Sequence, residues 1–148
     1  MPSRHLMPRR SKSEELLQFE ISFYEKLLRA YPDFVDVLIP LGNAYTRSGN
    51  HDKGLEIDLR LTKVRGQDPL TWYNLACSYS LLKRVTESVE ALRRSFELGY
   101  ADLQYLQKDP DLTNLHRSPQ YRDLIDSLAS KVGAARVKEQ KPDVQSSS

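Results

Sequence analysis

Cysteine is nearly missing from this sequence: Cys77 stands alone among 148 residues. A single thiol excludes an internal disulfide framework and suits a reducing compartment. Histidine is scarce too. His5, His51 and His116 lie far apart, without the close spacing of metal ligands, so no zinc centre is expected. Glycines are few and scattered, Gly42, Gly49, Gly54, Gly66 and Gly99 among them, which excludes a phosphate-cradling loop. No apolar run approaches the roughly 20 residues that cross a bilayer. The opening MPSRHLMPRRSKS lacks the apolar centre of a secretory signal, and it is too short and proline-broken for an organelle-targeting helix. The expected location is therefore cytoplasmic. A nucleophile paired with a base is also missing. No histidine is placed by sequence to activate Cys77, so a small half-buried thiol that packs like a hydrophobe is the expectation. Neither catalysis, a cofactor nor a metal is expected.

Charge nearly cancels, at +2 overall, but it is unevenly placed. Residues 1–12 carry Arg4, Arg9, Arg10 and Lys12 with no acid, and residues 131–148 carry four bases against two acids. The stretch 13–130 therefore sums to −4. A mildly acidic domain lacks the clustered basic face that nucleic acid needs, so nucleic acid is not an expected partner. Only the basic arms offer a weak contact with an anionic surface.

What the sequence does have is a repeated amphipathic pattern. The stretch Asp68–Asp102 holds two helical patterns separated by a polar break near Lys83–Thr86. The pattern is already present upstream at one constant offset: Leu38, Leu41, Gly42 and Tyr45 fall on Trp72, Leu75, Ala76 and Tyr79. Leu55, Leu61 and Val64 fall on Val89, Ser95 and Leu98, and Ile21 and Leu27 precede Leu55 and Leu61 by the same offset. A period of about 34 residues, built from helix–turn–helix units with an aromatic, a leucine, a small residue and a tyrosine so spaced, resembles the tetratricopeptide repeat. The run from Tyr73-Asn74-Leu75-Ala76-Cys77 to the DPDL…L…SPQY ending resembles the terminal cap of certain bacterial tetratricopeptide proteins.

The resemblance implies an all-α solenoid of helix pairs. A disordered basic arm is expected at 1–12, followed by a helix that opens on the capping-box spacing Ser11 to Glu14 and serves as half a repeat. Complete repeats are expected at about 35–68 and 69–102, a divergent cap at 103–130, and a disordered tail at 131–148. Pro40 predicts a kink or a late helix start, Asp33 a cap for that helix, and Asp109-Pro110 the end of an aborted third repeat. The core should contain Ile21, Tyr24, Leu38, Leu41, Tyr45, Leu55, Leu61, Trp72, Leu75, Tyr79, Val89, Leu92 and Phe96. Asp58 stands where the family has a large apolar residue. A buried carboxylate needs a partner, and Tyr45, Tyr79 or an arginine is expected to supply it.

In this family the first helices of successive repeats line a concave face, which suits an extended peptide or a partner helix. The resemblance places Ile39, Asn43 and Arg47 there from one helix, Tyr73, Asn74 and Cys77 from the next, and Lys108 from the aborted repeat. Asn43, Asn74 and Lys108 also match part of the pattern with which the co-chaperone type holds a peptide's C-terminal carboxylate. Ile39 and Gln104 stand where that pattern has basic residues. The expected function is a non-enzymatic scaffold that binds a peptide or partner helix in this groove. The alternative is a self-assembling module that stacks through its incomplete terminal repeats as a homo-oligomer.

Overall fold

The computed structural model describes residues 8–139. Helix α1 (Lys12–Ala30) opens on a complete capping box, in which the Ser11 hydroxyl accepts from the Glu14 N–H and the Glu14 carboxylate accepts from the Ser11 N–H. Then follow α2 (Val35–Arg47), α3 (His51–Val64), α4 (Pro69–Leu81) and α5 (Val85–Glu97). A short α6 (Leu103–Lys108), a 3-10 turn (Pro110–Leu112) and α7 (Pro119–Glu139) complete the described chain. Consecutive helices from α1 to α5 pack against one another, the 3-10 turn packs on α4, and α7 packs on α5. Among the described residues there are helices and no strands, arranged as a helical repeat solenoid.

The turns within the pairs share one geometry. α2 turns into α3 through Gly49 at φ +79°, and one repeat later α4 turns into α5 through Lys83 at φ +60°. Glycine enters this left-handed region without strain, and lysine does so at a cost. Close helix approach explains a second pair of positions. A Cβ on Gly42 would lie 3.2 Å from the Ile57 side chain, so α2 and α3 meet where only glycine fits comfortably. Its counterpart Ala76 is fully buried between α4 and its neighbours.

Two apolar clusters hold the molecule together. Ile21, Leu38, Leu41, Tyr45, Ile57 and Leu61 join α1, α2 and α3. Leu75, Ala76, Val89, Leu92, Leu106, Leu112, Leu115, Tyr121 and Leu124 join α4 and α5 to the C-terminal elements. Of the expected core, Tyr24, Trp72, Tyr79 and Phe96 are half-buried and the rest are buried. Buried serines fasten α5 to α4: the Ser88 hydroxyl donates to the Ala76 carbonyl at 2.6 Å, and Ser95 to that of Pro69 at 2.8 Å.

Three local expectations need correction. α2 begins at Val35 despite Pro40, and its N-cap is Phe34 with no side-chain bond, so Asp33 does not cap it. Pro40 lies close to the start of the helix, where one missing donor leaves only the carbonyl of the exposed residue Asp36 without its intrahelical partner. α7 runs on to Glu139, past residue 130 where a tail was expected, because Ala134, Ala135, Arg136, Lys138 and Glu139 are strong helix formers. The rest of that expected tail, and residues 1–7 of the expected arm, lie outside the described residues.

Candidate functional site

Helix α2, helix α4 and the segment after α5 enclose one groove of about 410 Å³. Asn43 and Thr46 reach it from α2, Asn74 and Leu81 from α4, and Tyr100, Asp102 and Tyr105 from the far wall. Asn43 and Asn74 are exposed, and among the described residues neither side chain is hydrogen-bonded within the chain. Both are free to donate and accept.

The floor of the groove is acidic. Asp58 projects from α3 and is 8% exposed. Its Oδ2 accepts from the Ser78 hydroxyl at 2.5 Å, so the partner is a serine of the next helix and not a tyrosine or an arginine. The Tyr45 hydroxyl donates instead to Glu25 at 2.7 Å. Burial lifts the Asp58 carboxyl to about 6, against the opposing pull of the Ser78 hydrogen bond. Asp109 is the second buried carboxylate. It ends α6, where Asp109-Pro110 halts the helix. Its Oδ2 accepts from the Tyr73 hydroxyl at 2.5 Å and its Oδ1 from the Asp111 N–H at 2.9 Å. Asp102 and Asp111 also line the groove, and among the described residues no lysine, arginine or histidine does. Asp111 is itself shifted upward, by burial first and then by Asp109.

Tyr73 is buried, in contrast to the open groove residue expected from sequence. Its ring stacks on Tyr100 with centroids 4.5 Å apart, and Tyr105 lies 6.3 Å away. Its hydroxyl is committed to Asp109, and burial together with that carboxylate pushes its ionisation well above the ordinary range. Cys77 is buried too, its Sγ 3.8 Å from Asp109 Oδ2. Burial, then the negative charge of Asp109 and Asp111, holds the thiol protonated far above its usual range. Cys77, Asp109 and Asp111 place three possible metal ligands within 4.8 Å of one another. One is a thiol that resists ionisation, and both oxygens of another already accept hydrogen bonds. The trio is a hydrogen-bonded corner that ties α6 to α4.

Of the residues expected to form the site, Asn43, Tyr73, Asn74 and Cys77 are brought together in this groove. Ile39, Arg47 and Lys108 do not line it. Ile39 is partly exposed on α2, and Arg47 forms an ion pair with Glu20 of α1 at 2.8 Å. Sequence reasoning missed Asp109, Tyr100 and Tyr105 as wall residues. The Asp109-Pro110 break marked the end of a helix, but nothing local pairs Asp109 with Tyr73, which lies 36 residues away.

Residues 70–98, which span nearly all of α4 and α5, match the family described as tetratricopeptide repeat. The chain is also similar to a chloroplastic protein of Arabidopsis thaliana, at 31% identity over 90 residues. That match covers 57% of this chain and 26% of the plant protein, so the chain spans about a quarter of that relative's length. The repeat spacing and the stacked helix pairs agree with the family match, and residues 70–98 form a tetratricopeptide repeat within this chain.

Proposed function

We propose that the chain is a non-enzymatic interaction module that binds an extended, positively charged peptide segment along the groove between α2 and α4. Tetratricopeptide repeats generally mediate protein–protein interactions. One observation carries the finer reading. Two unbonded asparagine amides face a groove whose walls hold Asp58, Asp102, Asp109 and Asp111 and, among the described residues, no basic side chain. Asparagine reads both the N–H and the C=O of a peptide backbone. The carboxylates favour lysine or arginine on the ligand and disfavour an acidic one. Leu70, Leu81 and the exposed Tyr105 add apolar contact. A clamp for a C-terminal carboxylate fits this groove poorly, since the cations it requires would have to come from outside the lining.

A positional peptide array tests the reading. Peptides of fixed length carry lysine, glutamine or glutamate at each place in turn, with free or amidated C-termini. Lysine is expected to strengthen binding and glutamate to weaken it, and amidation to leave it unchanged. Preference for a free carboxylate, or for glutamate, overturns the proposal.

The cytoplasm is the compartment proposed for this chain, where Cys77 stays reduced. The plant relative is chloroplastic by name. Imaging a fluorescent fusion of this chain distinguishes the two locations.

A further inference from the structure

Helix α1 has two apolar faces. One, with Leu17, Ile21, Tyr24 and Leu28, joins the core beside α2. The other carries Leu16, Phe19 and Phe23, which are 68%, 71% and 51% exposed. Their i, i+3, i+7 spacing sets them in one stripe about 11 Å long, and Ala30 continues its line. Single exposed apolar side chains are ordinary on a surface. Three large ones in register form a patch that a partner covers. No residue of α1 lines the groove between α2 and α4, so that site does not account for the stripe.

The charges beside the stripe select the occupant. Glu15 near the start of α1 and Lys26 near its end are both exposed. They stand on the same flank of the stripe, roughly 20° apart in helical projection. Among the described residues neither forms an ion pair. Two copies of α1 laid parallel would put this flank on opposite sides of the seam, so neither Glu15 nor Lys26 would meet its opposite charge across it. Laid antiparallel about a two-fold axis near residue 20, they set Glu15 of each copy beside Lys26 of the other. The same arrangement seats Leu16 against Phe23 of the second copy and brings the two Phe19 rings together at the axis.

We propose that α1 is a self-association surface through which two copies of this chain pair antiparallel, with Leu16, Phe19 and Phe23 in the seam and Glu15 facing Lys26 across it. The contact is isologous, as closed two-fold dimers require. It is built from one helix on each side, which gives a reversible dimer and not an obligate one. The pairing does not depend on the reading of the groove.

Sedimentation equilibrium of the full chain over a range of concentrations tests it. The wild type is expected to pass from monomer to dimer. Phe19→Glu is expected to stay monomeric, and because Phe19 is 71% exposed the variant should keep its helical circular dichroism. Glu15→Lys or Lys26→Glu alone should weaken the dimer about tenfold, and the two together should restore it. A wild type that is monomeric throughout overturns the proposal, as does a dimer indifferent to Phe19→Glu. Single reversals that the double variant fails to rescue overturn the antiparallel geometry.

Discussion

Asp58 is a carboxylate buried with a hydroxyl for company and no cation. Its folded value near 6 lies above the ordinary 3.8, so between those two values the folded protein keeps a proton that the unfolded chain has released. Stability from this group is therefore greatest in acid, falls as pH rises through that window, and levels off above it. The loss is on the order of 3 kcal/mol. Asp58→Asn removes the charge and with it this dependence. The stability difference between variant and wild type, measured by urea unfolding at a series of pH values, should shift in favour of the variant as pH rises from about 4 to about 6. A difference that stays flat contradicts the buried charge. Cys77 gives a second prediction at this scale. A thiol held protonated by burial and by Asp109 reacts slowly. Alkylation near neutral pH should be far slower in the native protein than in the urea-unfolded chain. Equal rates would mean that the thiol is open to solvent.

Turns and helix ends set the predictions for elements. Lys83 occupies the left-handed position that Gly49 occupies one repeat earlier. Lys83→Gly relieves that strain and should stabilise the protein by about 0.5–1 kcal/mol, read as a higher melting temperature. A lower melting temperature would mean that the lysine side chain contributes more than its backbone costs. The junction of α6 with α4 depends on Tyr73 and Asp109. Tyr73→Phe strips one donor from a carboxylate that is 4% exposed, and should cost about 1–3 kcal/mol in chemical denaturation. No loss would show that water replaces the hydroxyl. Most helices were legible in the sequence, because their apolar residues recur at helical spacing and their ends carry Ser11, Asn50, Asp68 and Asp102 as side-chain caps. α2 was harder to read. Its start carries no side-chain cap, and Pro40 imitates a boundary that the packing of Leu38 and Leu41 overrides.

The whole molecule joins a regular half to an irregular one. Repeat spacing located the core residues of α2 to α5, since each has a counterpart one repeat away. It reached Leu106, which falls one repeat after Trp72, but said little about Leu112 and Leu115, which are fully buried beyond the Asp109-Pro110 break that ends the repeat spacing. They cover the end of the array after the chain reverses at Asp109, and such reversals are set by tertiary contacts. The candidate groove was legible to the same extent. Asn43, Asn74, Tyr73 and Cys77 followed from the repeat, whereas Asp109 and Asp111 join the wall only when the 3-10 turn after α6 packs onto α4. That wall fixes the expected sign of the ligand. Binding of a basic peptide should weaken as salt rises, since part of the attraction is screened. The most direct measurement is titration calorimetry of the best lysine-bearing array peptide against wild type and against the Asn43→Ala/Asn74→Ala double variant, at low and at high salt. A clear loss of affinity in the double variant with unchanged melting temperature is expected, together with weaker wild-type binding in high salt. Equal affinity in both proteins, or binding that strengthens with salt, would contradict the proposed function.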